Sequence, residues 1–153
     1  MKTIRNRVEV LIWHRELKAI LVAKWKKPDG VQYVFPGGGV ESGETVEQAA
    51  IKEALEEVGV RIKDVSKIHE GPIKPIPLED SGSQLLFHGD VTIYVFARYS
   101  DRDYSKHNCE GDAMEFEWMT PLEAGAAVSD QSADGFHRAQ AIRNAHFTGL
   151  ITF

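Results

Sequence analysis

Apolar and polar positions along the chain predict six strands and three helices. Strands are indicated where apolar residues alternate with polar ones or run together, as in AILVAKW at 19–25 and VTIYVFARY at 91–99. The predicted strands cover residues 8–12, 19–25, 32–35, 60–68, 91–99 and 115–119. The predicted helices cover residues 46–58 and 132–147, with a short one within TPLEAGAAV at 120–128. Strands mixed with helices favour an α/β layered domain with a mixed sheet.

The spaces between these elements contain no internal repeat and no low-complexity linker, so the sequence predicts a single domain over residues 1–153. The longest connection, EGPIKPIPLEDSGSQ at 70–84, carries three prolines and could border a pocket. A chain of 153 residues can bury a substantial core, and 42% hydrophobic with 27% charged residues is typical of a soluble globular protein. No apolar run approaches the roughly 20 residues of a membrane span.

The cysteine content and the net charge limit which cellular compartment and which classes of partner are expected. Cys109 is the single cysteine, which excludes an intramolecular disulfide and a cysteine zinc cage. The charged N-terminal stretch is unlike a signal peptide, so a cytoplasmic location is expected. The net charge of −5 argues against a long nucleic acid as partner. A phosphate compound would need a metal ion or a local basic patch to approach.

The helix predicted at 46–58 concentrates negative charge on one side. Its start carries a capping-box pattern, Thr45 with Gln48, and Gly59 stands where a helix commonly ends. At 100° per residue three glutamates share one arc: Glu53, Glu56 and Glu57. A separate arc suited to packing on a sheet holds Ile51, Ala54, Leu55 and Val58. Like charges at this spacing repel, so a compensating partner is expected.

A divalent cation is one candidate partner. Mg²⁺ prefers oxygen ligands, and carboxylates at these spacings plus a carbonyl from the glycine loop FPGGG would supply half of its coordination shell. The alternative is a solvated acidic helix face, which the three glutamates alone would favour. The glycines and the cap shift the balance towards the metal site, because they fix where the helix begins.

The spacing of these residues resembles the box of the Nudix hydrolases, G-x5-E-x7-R-E-U-x-E-E-x-G-U, where U is bulky and aliphatic. The chain has at those offsets Gly38, Glu44, Lys52, Glu53, Ala54, Glu56, Glu57, Gly59 and Val60. The match spans 23 residues, and the strand order around it is also similar to the Nudix fold. The resemblance therefore implies an α/β/α sandwich, a mixed sheet between helices. Lys52 stands where the family has arginine, and lysine lacks the planar fork that holds two carboxylate oxygens.

The same resemblance implies a metal-dependent hydrolase. Glu53, Glu56 and Glu57 would hold Mg²⁺ or Mn²⁺, assisted by the carbonyl of Gly37 or Gly38. The metal would neutralise a diphosphate, polarise phosphorus and acidify a bound water that attacks in line. Lys52, in the arginine's place, would orient the catalytic glutamate and pair with Glu44. The general base stays open between Glu56 and a later glutamate, Glu110 or Glu115.

The substrate and its contacts are less defined. Lys24 and Lys26 lie near a strand position where similar proteins often bind phosphate, although solvated strand-end charges are the alternative. The implied substrate is a nucleoside diphosphate linked to another moiety, such as a nucleoside triphosphate, ADP-ribose or another nucleotide sugar, a dinucleoside polyphosphate or capped RNA. Two rivals are a non-catalytic nucleotide-sensing module and an isoprenoid diphosphate isomerase. The isomerases depend on a cysteine and an altered box. Similar proteins are often homodimers.

Overall fold

The computed structural model describes residues 3–75, 87–102, 114–130 and 132–153. Its strands are β1 (Thr3–His14), β2 (Ala19–Lys27), β3 (Gly30–Val34), β4 (Gly37–Gly39), β5 (Val60–Glu70), β6 (Lys74–Pro75), β7 (Phe87–Arg102) and β8 (Met114–Met119). Its helices are α1 (Val46–Glu53), continued by a π-helical turn (Ala54–Val58), then α2 (Pro121–Val128) and α3 (Ala133–Phe147). All six predicted strands and all three predicted helices are present.

The sheet is built around β1. This strand runs parallel to β7, and β5 pairs antiparallel with the other edge of β7. On its other side β1 pairs with β2 only next to their connecting turn, at Trp13–Ile20 and His14–Ala19. Beyond that point β2 diverges to pair with β3 and β8, and the short strand β4 pairs with β1 instead. The mixed sheet predicted from the sequence is therefore confirmed.

Two hydrophobic cores cover the two faces of this sheet. One joins Leu11, Tyr94 and Phe96 to buried residues of α2 and α3. The other joins Val8, Val10 and Ile12 to the buried alanines of α1 and to Val58 of the π turn. Because β1 has a helix layer on each side, its side chains from Val10 to Trp13 are all buried, including the positions that alternation would turn to solvent. The arrangement is an α/β/α sandwich.

The structure corrects the interpretation of the glycine run as a loop. Residues 37–39 form β4, whose register pairs Glu9 with Gly37 and Val8 with Gly38. Consecutive glycines are unfavourable in a strand on propensity alone, but they allow two backbones to approach closely. None of the helices in the described ranges combines the length and the apolar composition of a membrane span.

A pair of histidines, one on the sheet and one on α3, should make the stability of the protein depend on pH. His69 Nε2 and His137 Nδ1 lie 2.8 Å apart in a hydrogen bond between β5 and α3. Burial lowers the pKa of His69, and the charge of His137 lowers it further. As the pH falls below the ordinary histidine pKa of 6.5, the unfolded chain therefore binds a proton at His69 more readily than the folded protein does. The contribution of His69 to the free energy of unfolding should be complete above that pH, and the free energy of unfolding should decrease below it.

Thermal unfolding of the wild type and of His69→Gln at about pH 7.5 and about pH 5.5 checks this expectation, since only histidine titrates in that range unperturbed. The wild type should lose more of its Tm on acidification than the variant does. Equal losses in both proteins would assign the pH dependence to other groups.

Candidate active site

The acidic helix begins as predicted and then departs from regular α-helix. Thr45 caps it, with its hydroxyl accepting from Gln48 N and the Gln48 side chain accepting from Thr45 N. Gly59 ends it in the left-handed region, at φ 72°. Between them, α1 gives way at Ala54 to a π turn, which corrects the prediction of one uniform helix over 46–58. A π turn is wider than an α turn and is frequently found at functional sites.

The glutamates of this helix take different positions. The Glu53 carboxyl is half-buried against Gly38, and Glu57 Oε2 accepts a hydrogen bond from Gly37 N at 3.3 Å. Glu56 is exposed. On the packing side Ala54 and Val58 are buried as predicted, but Ile51 is 40% exposed. Two of the three glutamates predicted as metal ligands therefore converge on β4.

Two of the three glycines of β4 are approached closely by neighbouring atoms. A Cβ on Gly37 would overlap the carbonyl oxygen of Val8, and a Cβ on Gly38 would lie 2.6 Å from both Cδ and Oε1 of Glu53. A Cβ on Gly39 would meet nothing within 4 Å. Since an extended residue directs its N–H and C=O to the same side, the contact of Gly37 N with Glu57 places the Gly37 carbonyl on the acidic side too.

The charge balance of this cluster fits a divalent cation. Burial raises the pKa of Glu53; the charge of Lys52 opposes the shift, while that of Glu56 adds to it. The Glu57 side chain lies close enough to lower the pKa of Glu53, and two carboxyl groups this close together are stabilised by a shared proton or by a cation. Hard oxygen donors beside a bare glycine backbone suit Mg²⁺ or Mn²⁺. Among the described residues, however, no group of three or more His, Cys, Asp or Glu side chains is arranged so that it could hold a metal ion as it stands.

Comparison with known protein families matches residues 3–140 to the family described as the NUDIX domain. The chain belongs to the Nudix family. Relatives over shorter stretches include an RNA pyrophosphohydrolase of Baumannia cicadellinicola, 64% identical over 31 residues (20% of each chain). The RNA pyrophosphohydrolase of Actinobacillus succinogenes is 38% identical over 66 residues, 42% of this chain and 32% of the relative.

The ADP-ribose pyrophosphatase of Methanocaldococcus jannaschii is 33% identical over 63 residues, 40% of this chain and 37% of the relative. The Nudix chain thus aligns with between one fifth and about two fifths of these relatives. Among solved structures, an ADP compounds hydrolase superposes with TM-score 0.71 at 14% identity, covering 98% of this chain and 77% of the other. A MutT protein of Aliivibrio salmonicida or Vibrio cholerae superposes with TM-score 0.64 at 18% identity, covering 92% and 98%. Both likenesses show the fold.

Within the Nudix box, Lys52 makes the contact that the family resemblance implies for arginine. Its Nζ lies 3.0 Å from Glu44 Oε2 and 3.4 Å from Oε1, with Glu41 Oε1 at 3.5 Å. The hydrogen bond with Glu44 raises the pKa of Lys52. The backbone N–H of Glu41 lowers the pKa of Glu44, and the hydrogen bond from Lys52 lowers it further. The single ammonium group of Lys52 thus contacts two carboxylates, whereas a guanidinium could bind the two oxygens of one carboxylate through parallel hydrogen bonds.

Lys52→Arg should raise kcat several-fold, because a planar fork holds Glu44 in one orientation and steadies the start of the acidic helix. Lys52→Met is the matched control and should lower kcat by removing the charge. Steady-state hydrolysis with saturating Mg²⁺ measures both. A fall in kcat for Lys52→Arg would mean that this site has adapted to lysine.

The remaining predicted site residues lie elsewhere. Lys26 Nζ is 2.5 Å from Glu115 Oε1 across the β2–β8 pair, and Lys24 is the register partner of Glu115. Phe116, the next residue of β8, packs in the core on the α1 side, so by strand alternation Glu115 faces the other way. The Lys26 hydrogen bond also lowers the pKa of Glu115, which weakens it as a proton acceptor. Cys109 and Glu110 lie outside the described residues.

An ion pair that was not predicted from the sequence lies on the opposite face of the sheet, behind β4. Glu9 of β1 pairs with Arg138 of α3 through two hydrogen bonds, Nε to Oε1 at 2.7 Å and Nη2 to Oε2 at 3.1 Å. The sequence does contain a signal for a functional role of Glu9, because this charged residue stands among apolar residues in β1. Its partner, 129 residues away, carries no local signal.

Proposed function

We propose that this Nudix chain is a metal-dependent hydrolase that cleaves the diphosphate linkage of a nucleoside diphosphate joined to another moiety. The observation that carries the proposal is the convergence of Glu53 and Glu57 on the backbone of Gly37 and Gly38. Two half-buried carboxylates this close together are stabilised by a cation. An open cation site beside bare backbone suits an anionic phosphate ligand.

The relatives support the reaction class. Their names denote pyrophosphohydrolases of RNA and of ADP-ribose, and the alignments cover part of each protein. A divalent cation would supply Lewis-acid polarisation of a phosphoryl oxygen. Glu53, Glu57 and the Gly37 carbonyl would hold it, and the Lys52–Glu44 pair would fix the helix start.

The chemistry is a substitution at phosphorus. Water forms a new P–O bond at one phosphorus, the bond from that phosphorus to the bridging oxygen breaks, and the other phosphate departs with the bridging oxygen and the electron pair of that bond. The proton of the water passes to a carboxylate. Glu56 is exposed on the acidic helix, whereas Glu115 is held in an ion pair on the other face of β8. We therefore favour Glu56 over Glu115 as general base.

Residues outside the Nudix box decide which moiety is joined to the diphosphate of the substrate. Fold and box are shared among many substrates, so specificity must come from side chains elsewhere. Two relatives are RNA pyrophosphohydrolases, and RNA with a 5′ diphosphate or triphosphate belongs among the candidates despite the net charge of −5. We retain a small nucleotide as the expected substrate, a homodimer as a candidate assembly and the cytoplasm as the expected location.

A hydrolysis screen tests the proposal. Purified protein with Mg²⁺ or Mn²⁺ is incubated with nucleoside triphosphates, nucleotide sugars, dinucleoside polyphosphates, coenzymes and short 5′-triphosphate RNA, and products are resolved chromatographically. Cleavage at the diphosphate by the wild type, absent with chelator, would support it. No cleavage of any compound, with ligand-induced thermal shifts still present, would favour the non-catalytic sensing module instead.

A further inference from the structure

Arg138 and Glu9 form the most deeply buried ion pair recorded in the described ranges. Their side chains are 7% and 14% exposed, and the two parallel hydrogen bonds use both carboxylate oxygens. Arg138 Nη1 is buried and has no hydrogen-bond partner. A buried ion pair with an unsatisfied donor is weak as a source of stability, because desolvation offsets much of its Coulomb energy. Its role should therefore be sought in what it holds in place.

The Glu9 carboxylate also contacts the corner that leads into β4. Its Oε1 accepts a hydrogen bond from Phe35 N at 3.4 Å, and the next residue of β1, Val10, donates its N–H to Pro36 O at 2.8 Å. The backbone of Glu9 is the register partner of Gly37. The corner from Phe35 to Gly37 is thus held by both the side chain and the backbone of β1.

Beyond this corner the same backbone meets the acidic helix. Gly37 N donates to Glu57, and Gly38 is in contact with the Glu53 carboxyl. A continuous set of contacts therefore runs from α3, through Arg138 and Glu9, to the two glycines on the other face of the sheet. Small displacements of a ligand-bearing backbone are costly to metal binding, and outer contacts that orient the ligands are typically worth about 10- to 100-fold in affinity.

We propose that Arg138 is a positioning residue that orients the Glu9 carboxylate and thereby fixes the Phe35–Gly37 corner for divalent-cation binding. The proposal rests on the proposed function for its metal readout. It assigns to α3, which contributes no ligand, control over the geometry of the glycine strand.

The experiment compares Arg138→Lys with Arg5→Lys. Arg5 is a close match, because it lies on the same strand β1, binds Asp90 with two hydrogen bonds of 2.8 and 3.0 Å, and has no recorded hydrogen bond or ion pair with the corner in the described residues. Mn²⁺ affinity is measured by titration calorimetry, with Glu57→Gln as the blank, and amide hydrogen exchange is measured at Phe35 and Gly37. Arg138→Lys should weaken Mn²⁺ binding by about 10-fold and speed both exchange rates, whereas Arg5→Lys should change neither.

A second variant separates positioning from stability. Glu9→Met combined with Arg138→Met replaces the pair by apolar side chains, which is often neutral for stability. The Tm should remain near that of the wild type while Mn²⁺ affinity stays low, because Phe35 N has lost its acceptor. Wild-type affinity in this double variant, or equal effects of Arg138→Lys and Arg5→Lys, would overturn the proposal. A wild type that binds no Mn²⁺ would instead refute the proposed function, and the exchange rates would still decide the positioning role.

Discussion

Glu57→Gln should lower metal-dependent kcat by about 10²- to 10³-fold, the range expected when one preorganised charge-stabilising group is removed. The amide can still accept the hydrogen bond from Gly37 N, so the helix and β4 should keep their places. Removing one charge beside Glu53 also relieves repulsion, and the free energy of unfolding without metal should be unchanged or slightly higher. Steady-state hydrolysis and thermal unfolding with and without Mn²⁺ measure the two effects.

Glu47→Gln is the matched control, because Glu47 is an exposed glutamate in the first turn of the same helix. It carries the same chemical change at an exposed position and should retain wild-type kcat. Retention of full, metal-dependent activity by Glu57→Gln would remove Glu57 from the site. Loss of activity together with a large fall in Tm would indicate a structural role instead.

Gly38→Ala should weaken Mn²⁺ binding by at least about 10-fold while leaving Tm close to the wild type. The added Cβ would lie 2.6 Å from the Glu53 carboxyl, which must move away from the position it shares with Glu57. A flexible side-chain end can yield at small cost, and alanine reduces the freedom of the unfolded chain relative to glycine. Affinity and stability should therefore separate in this variant.

Gly39→Ala provides the comparison, since its Cβ would meet nothing within 4 Å in the same strand. Titration calorimetry with Mn²⁺ should show wild-type affinity for Gly39→Ala. Equal affinities for the two alanine variants would contradict the placement of the metal against Gly38. A general effect of alanine in β4 would appear in both variants, so the difference between them isolates the contact with Glu53.

Local signals in the sequence were sufficient for the elements and for the start of the site. The cap at Thr45 and the terminator at Gly59 are decided by nearest neighbours, and both are confirmed. The apolar run of β2 was recognisable because its first five residues are buried on both faces. The spacing of the box then related Gly38 to the glutamates without any knowledge of the fold.

Features that depend on distant contacts were not accessible in the same way. The assignment of Gly37–Gly39 to a strand depends on β1 offering an unpaired edge after β2 diverges, which no glycine propensity reports. The pairing of Glu9 with Arg138 joins residues 129 positions apart. The placement of Glu115 on the face away from α1 follows only once its neighbour Phe116 is seen to pack on the α1 side. In each case, tertiary pairing decided between locally equivalent alternatives.

The π turn has a consequence for where the side chains that follow it point. A π turn contains about one residue more than the α turn it replaces, so the side chains after it keep the direction that they would have in a regular helix one residue shorter. If the same residues formed regular α turns instead, the side chains after the turn would rotate by up to about 100°, the angle of one residue, relative to Glu53. Glu57 would then leave Gly37. The more regular helix would be the less useful one, because it would separate the carboxylate from the glycine backbone.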